Sequence, residues 1–200
     1  IVVRHVDGAG CYGHNGADDA AMDAAVVALA TPGTPVALAW SRADEHGWDP
    51  KGPPQLVEVS GNLTPEGRID AWSTQMWFPR ATANLAWIPL LSPLAAGLPQ
   101  PKGQAVGLVS QNGDPPYATS NVKVVVHWLK DTPLRLSNLR APGKIANVFA
   151  VESFTDELAS SAGVDPVEFR LRGLTDPRAL DVIKRATEMF GWEARPSPNK

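Results

Sequence analysis

Nine residues near the start of the chain, Gly8 to Gly16, have the composition of a loop that binds an anionic group. Four of the nine are glycines, which let the backbone turn sharply and approach a ligand without a clash from Cβ. A valine-rich, strand-like run precedes this loop, and a helical pattern over about residues 17–30 follows it. The first amide groups of a helix are unpaired and carry the positive end of its dipole. The order strand, glycine loop, helix therefore indicates a site for phosphate or another anion.

The loop does not fully match either common nucleotide-binding motif. Gly8, Gly10 and Gly13 have the spacing G-x-G-x-x-G, but an NAD-binding loop also needs an acidic residue about 20 residues on. The next predicted strand, about residues 34–40, ends in Ser-Arg instead. No G-K-[ST] follows the glycines, which excludes a Walker loop. Two interpretations stay open here: a loop for a phosphate-bearing cofactor, and a strand-to-helix turn that needs glycine only for its shape.

A second loop, Arg140-Ala141-Pro142-Gly143, also stands between a predicted strand and a predicted helix. An arginine in such a loop can point into a cleft and bind a carboxylate, a phosphate or a developing oxyanion through parallel hydrogen bonds. The alternative is a structural arginine that pairs with Glu152 or Asp131. Composition alone favours that alternative slightly.

The second loop is one of a series of motifs in this part of the chain. In chain order they are QNGDPPY at 111–117, RAPG at 140–143, FAVESF at 149–154, DELA at 156–159 and DPVEFRLR at 165–172. Together with the first loop, whose Gly10-Cys11-Tyr12-Gly13 is similar to a Gly-Gly-Phe-Gly motif, they resemble the molybdopterin-binding large subunit of the xanthine dehydrogenase/aldehyde oxidase family. The subgroup that the chain most resembles is the isoquinoline 1-oxidoreductase β-subunit type.

This resemblance implies a cofactor, a reaction and site residues. The cofactor is molybdenum–molybdopterin, commonly in its cytosine dinucleotide form. The reaction is hydroxylation of an N-heterocycle or an aldehyde with oxygen from water, and the electrons leave through iron–sulfur clusters on a partner subunit. Gly10, Cys11, Tyr12 and Gly13 are implied to bind the cofactor, without any protein ligand to the metal. Arg140 is implied to be catalytic, because it stabilises charge that develops on a small-molecule substrate.

The chain departs from the family pattern at several points. Cys11 stands where the family has glycine, and a small buried side chain is the expectation there; Tyr12 replaces phenylalanine. The family's catalytic glutamate and the glutamine that contacts the oxo ligand are expected outside these 200 residues. We therefore expect an internal fragment that needs the remaining parts of the same large subunit and is inactive alone.

Composition excludes several other classes of protein. Hydrophobic residues make up 44% of the chain, which suffices for a core. The 18 basic and 21 acidic side chains leave a net charge of -3, so no basic field for nucleic acid exists. No apolar run reaches the roughly 18 residues of a membrane helix. A single cysteine excludes an internal disulfide. The family resemblance favours a periplasmic over a cytoplasmic location.

The predicted fold is α+β. It has a mixed sheet of short strands, helices after the two ligand-facing loops and a C-terminal helical cluster. Four segments are expected: a strand, glycine-loop, helix and hairpin unit at 1–77; an irregular apolar excursion at 78–120; the strand, RAPG loop and helical cluster at 121–195; and a linker at 196–200.

Two other functions compete with the molybdenum hydroxylase. One is a nucleotide- or cofactor-binding module of another oxidoreductase class, which rests on the glycine loop alone. The other is a non-catalytic interaction domain that uses the apolar stretch around residues 78–98 as its contact surface.

Overall fold

The computed structural model describes residues 2, 4–12, 18–79, 90–99, 109–129, 132–137 and 139–194. Within them lie six helices: α1 (Ala20–Ala30), α2 (Arg42–Trp48), α3 (Leu91–Ala95), α4 (Lys144–Ser161), α5 (Pro166–Gly173) and α6 (Pro177–Phe190). Three strands, β1 (Leu56–Leu63), β2 (Ile69–Pro79) and β3 (Asn121–Leu129), form one sheet in the order β1-β2-β3. The predicted α+β fold, with helices after both loops and a helical cluster at the C-terminal end, is confirmed.

The chain divides into two compact units, each built from several segments. The first unit comprises Ile1–Pro54, Phe78–Leu108 and Trp128–Pro142. The second comprises Gln55–Trp77, Val109–His127 and Gly143–Lys200.

The second unit contains a core formed by the β1–β2 hairpin and the helices that follow. β1 and β2 pair antiparallel around the turn that begins at Thr64, whose amide donates to the Arg68 carbonyl at 2.8 Å. Alternate residues of β2 are buried, as a half-covered strand requires. α4 packs on β1, and the Phe154 ring meets the Trp72 ring edge-on at 5.2 Å. Each large side chain that leaves water here contributes about 1.5–3 kcal/mol.

Short capping signals determine where the last helices begin and end. The Asp165 carboxylate accepts from the amides of Val167 and Glu168, and Pro166 occupies the first position of α5. Asp176 begins α6 in the same way, and the left-handed Gly191 ends it. Both helices therefore begin at an Asp-Pro pair, which is a local sequence signal for a helix start.

Three of the described helices, α1, α2 and α3, lie in the first unit. α1 packs against α3, and Ser41 begins α2 with a reciprocal capping box to Asp44. A parallel bridge joins Lys51 to Leu136.

Two strands that the sequence predicts in this unit are absent from the described residues. Residues 2 and 4–6 are exposed and belong to no strand, and most of 35–40 is likewise exposed and outside any strand. Valine-rich segments favour strands, but an isolated strand is not stable without a neighbour. Instead, Trp40 at the end of the second segment donates Nε1–H to the Asp23 carboxylate at 2.9 Å.

Some sequence-based expectations fall outside the described residues. They concern Gly13 to Gly16 of the first loop, most of the apolar excursion (80–89 and 100–108) and the linker at 196–200. Among the described helices, none is both long and apolar enough to cross a membrane.

A polar network lies at the edge of the second unit's core. The hydroxyl of Tyr117 donates to the Glu152 carboxylate at 3.0 Å, and Arg170 donates Nε–H to the same carboxylate at 2.9 Å. Arg170 also reaches Asp156 at 2.6 Å and thereby ties α5 to α4. Burial raises the pKa of Tyr117, and the Glu152 charge raises it further, while Arg170 opposes both. The neutral phenol is therefore the form that the folded chain stabilises.

This network predicts a pH dependence of stability. The pKa of Tyr117 in the folded chain lies above its unfolded value of about 10. The contribution of Tyr117 to the free energy of unfolding is therefore complete below pH 10, and it is lost as the pH rises toward the folded pKa. The chain has two tyrosines, so Tyr12→Phe leaves Tyr117 as the sole phenol. We expect phenolate absorbance in that variant to appear only well above pH 10. Ionisation of Tyr117 near pH 10 in the folded chain would contradict the prediction. Glu152→Gln should lower the pKa of Tyr117, because it removes the charge that helps to raise it.

Candidate functional site

The first loop brings a glycine and a tyrosine into unusual backbone conformations. Gly10 has φ +130° and Tyr12 has φ +51°. The Tyr12 ring folds back over Gly10, since a Cβ at Gly10 would lie 2.7 Å from Tyr12 Cε2. The positive φ favours glycine at position 10, whereas the exposed Tyr12 ring could move away from an added Cβ. Strain of this kind in a non-glycine residue such as Tyr12 is typical of ligand-binding loops.

Cys11 is exposed in this loop. The expectation of a small buried side chain at this position is therefore wrong. The physical reason is local: all of residues 4–12 are exposed, and the side chain at position 11 is exposed with them. Among the described residues, no three His, Cys, Asp or Glu side chains converge on a point where they could hold a metal ion.

The second loop has a defined shape. Leu139 packs on Gly52, where an added Cβ would lie 3.1 Å from Leu139 Cδ2. Ala141 follows Arg140 with φ +55°, and Gly143 has φ +75° as the N-cap of α4. These positive φ values turn the chain sharply within four residues, and Arg140 is left exposed.

The base of α4 is held by a buried amide. Asn147, fully buried in the first turns of α4, donates from Nδ2 to the carbonyls of Val109 and Gln111 at 2.7 and 2.9 Å. Gly143 lies against the same segment, and an added Cβ would lie 2.6 Å from the Val109 oxygen. Backbone atoms cannot yield as a flexible side chain would, so this position admits only glycine.

The tips of the two loops meet in the first unit. The guanidinium carbon of Arg140 lies 5.4 Å from the centroid of the Tyr12 ring, within cation–π range. Such a contact at an exposed site contributes about 0.5–1 kcal/mol. Tyr12 is 60% exposed, so ring and guanidinium together face solvent. The two loops that the sequence singled out are therefore neighbours although 128 positions separate their central residues along the chain.

The alternative partner considered for Arg140 is engaged elsewhere. Glu152 binds Arg170 and Tyr117, and Asp131 lies outside the described residues. Across the described part of the chain, Arg140 makes no ion pair and donates no hydrogen bond, so its N–H groups remain available to a ligand.

A buried ion pair joins a residue that follows the first loop in the sequence to a residue that precedes the second loop. Asp19 is fully buried and makes no side-chain cap at the start of α1. One of its carboxylate oxygens accepts from the Leu91 amide at 2.7 Å, and the other pairs with Arg135. Arg135 also donates to the Trp48 carbonyl at 2.7 Å. Asp19 and Arg135 are 116 positions apart, so no local pattern could have paired them.

The donor set fits an anionic, pterin-type cofactor better than a bare metal ion. Gly8 leaves its backbone open to a ligand, since nothing lies within 4 Å of a Cβ position there, whereas the Tyr12 ring covers Gly10. Arg140 adds a planar cation with available donors that suits phosphate or a developing negative charge.

Comparison with known proteins identifies the family. Residues 1–174 match the molybdopterin cofactor-binding domain family. The chain is 38% identical over 199 residues to a nicotinate dehydrogenase subunit of Pseudomonas putida, covering 99% of this chain and 16% of that protein. It is also 40% identical over 58 residues to the β-subunit of isoquinoline 1-oxidoreductase of Brevundimonas diminuta, covering 28% of this chain and 7% of that protein.

A solved structure shows the same fold. The aldehyde oxidoreductase from Desulfovibrio gigas superposes with a TM-score of 0.69 over 90% of this chain and 20% of that one, at 18% identity.

The chain thus belongs to the molybdopterin cofactor-binding domains of the xanthine dehydrogenase/aldehyde oxidase family. The resemblance seen in its motifs is confirmed. The chain spans 16% of the length of the nicotinate dehydrogenase subunit that it matches, so it corresponds to one segment of that much longer protein.

The shape of the second loop gives a stability prediction. Gly143→Ala places Cβ against the Val109 oxygen and also forces alanine to positive φ. Gly163, just after α4, is the matched control, because it has φ +65° but nothing within 4 Å of its Cβ position. Positive φ costs about 1–2 kcal/mol in either variant, and the overlap adds about 1–3 kcal/mol at position 143 only. Urea unfolding should therefore rank Gly143→Ala well below Gly163→Ala; equal stabilities would show that the loop moves freely away from Val109.

Proposed function

We propose that this chain is the part of a molybdenum hydroxylase's catalytic subunit that contributes contacts to the cofactor and to the substrate. The parent enzyme oxidises an N-heterocycle or an aldehyde. A C–H bond becomes C–OH with oxygen from water, and two protons and two electrons are released. The observation that carries the proposal is the contact between Tyr12 and Arg140. It joins the two loops with which the family resemblance associates cofactor and substrate.

We assign the cofactor contacts to the first loop. Gly10, Cys11, Tyr12 and Gly13 are the proposed cofactor-binding residues, and the proposed cofactor is the cytosine dinucleotide form of molybdenum–molybdopterin. When bound, this group supplies the two-electron redox chemistry. The chain positions the cofactor: the glycine backbone of the first loop lets the cofactor approach closely, and the Tyr12 ring lies beside that backbone.

Arg140 is the proposed catalytic residue of the segment. Its guanidinium is exposed and lies over Tyr12, and it has no carboxylate partner within the described residues. A fixed cation stabilises negative charge that appears on a substrate oxygen or nitrogen, and it needs no reorganisation as the reaction proceeds. The contact with Tyr12 restricts where the guanidinium can lie, which is the preorganisation that such stabilisation requires.

The proposed partners are those that the family resemblance implies. The catalytic glutamate and the oxo-contacting glutamine belong to the remaining parts of the large subunit. Electrons leave through iron–sulfur clusters on a partner subunit. The names of two relatives suggest nicotinate and isoquinoline as first substrates to test.

The role of Arg140 is tested in the parent enzyme, purified with its partner subunit. Arg140→Ala should lower kcat by about 10²–10³-fold with nicotinate or isoquinoline and a dye acceptor, the size of effect expected for one lost electrostatic stabiliser. Molybdenum content should not change, because the cofactor contacts are assigned to the first loop.

Two variants sharpen this test. Arg140→Lys keeps the charge but loses the planar set of donors, so it should recover only part of the rate. Arg178→Ala removes an exposed arginine of α6 and should leave kcat unchanged. Full activity in Arg140→Ala would refute the catalytic role.

A further inference from the structure

The buried carboxylate of Asp19 lies where the two functional loops originate. Asp19 immediately precedes α1, the helix that follows the first loop. Its side chain is fully buried and accepts from the Leu91 amide and from Arg135. An isolated buried carboxylate is strongly unfavourable, so the position of Arg135 is coupled to that of Asp19.

Arg135 belongs to the segment that leads into the second loop. It lies five residues before Arg140, and its neighbours form a short parallel pairing with the chain at Lys51. The Lys51 amide donates to the Arg135 carbonyl at 2.9 Å, and the Ser137 amide donates to the Lys51 carbonyl at 3.0 Å. Leu139 then packs on Gly52. The segment before Arg140 is therefore fixed at positions 135, 137 and 139 by its contacts with Lys51 and Gly52.

Asp19 and Arg135 therefore connect the roots of two loops whose tips meet at Tyr12 and Arg140. The pair is almost completely shielded from water, with 0% of the Asp19 side chain and 18% of the Arg135 side chain exposed. Screening by solvent is weak there, in contrast to the exposed pair of Asp176 and Arg178.

We propose that Asp19 is a positioning residue for Arg140. Acting through Arg135, it fixes the segment that places the guanidinium over the Tyr12 ring. This inference rests on the proposed function only for its effect on turnover; the mechanical link from Asp19 to the second loop stands on the geometry alone. Small displacements of a catalytic group are costly, since about 1 Å of misplacement can reduce a rate 10²-fold.

The test is a double-mutant cycle in the parent holoenzyme with nicotinate and a dye acceptor. Asp19→Asn keeps an oxygen for the Leu91 amide but removes the charge that pairs with Arg135. We expect Asp19→Asn to lower kcat at least about 10-fold when Arg140 is present. In an Arg140→Ala background the same change should lower kcat less than about two-fold, because no guanidinium is left to be misplaced. The matched control is Asp176→Asn, which alters a helix-start aspartate with an exposed arginine partner and should leave kcat unchanged.

A second readout does not depend on activity. Hydrogen exchange of the Lys51 and Ser137 amides reports the pairing that holds the segment before Arg140. Asp19→Asn should accelerate exchange at both amides, and Arg140→Ala should not. If the Asp19→Asn variant does not fold, a double variant that combines Asp19→Asn with Arg135→Gln is used in both measurements instead. This double variant removes both charges from the buried site.

The outcomes separate the inference from the proposed function. Equal losses of kcat in both Arg140 backgrounds, or unchanged exchange at Lys51 and Ser137, would overturn the positioning role. Full activity in Arg140→Ala alone would refute the proposed function, and the exchange measurement would then decide whether Asp19 still fixes the second loop.

Discussion

A buried carboxylate is stable only if nearby groups pair with its charge and donate hydrogen bonds to it in place of water. Asp19 meets that demand with one guanidinium and one backbone amide, contributed by segments far from it in the sequence. The cost of leaving either charge unpaired makes this arrangement difficult to distort. Two loops thereby start from fixed points, and their tips can present a shared surface of Tyr12 and Arg140.

The second unit is stabilised by different physics. Its core is apolar, built around Trp72 and the inner face of α4, with the Tyr117, Glu152 and Arg170 network at its edge. α4 begins directly after Gly143, and its first turns are held by Asn147. The start of this helix is therefore fixed by backbone carbonyls of its own unit.

Local signals in the sequence predicted much of this fold. Asp-Pro pairs, a local signal for a helix start, stand at the starts of α5 and α6, and residues that favour turns follow Thr64 in the hairpin. The glycine loop and the Arg140 loop were both identified by composition, and their motifs indicated the correct family.

The expectations that failed depend on tertiary partners. The strands predicted at 1–6 and 35–40 have suitable residues, but no neighbouring strand pairs with their described residues. Cys11 is exposed together with the rest of residues 4–12. The pairing of Asp19 with Arg135 depends on how segments 116 positions apart converge, which neither periodicity nor capping rules encode. Sequence therefore located the loops, while the interaction that positions them required the structure.

The central claim is that the first loop, beside Arg140, holds the molybdopterin cofactor. Alkylation of Cys11 tests it most directly, because this exposed thiol lies between the two residues of positive φ. Labelling would be measured by mass spectrometry in molybdenum-loaded and cofactor-free parent enzyme, each relative to the same peptide in denatured protein. We expect strong protection of Cys11 only in the loaded enzyme. Equal labelling in both forms, with molybdenum content verified, would contradict a cofactor site at this loop.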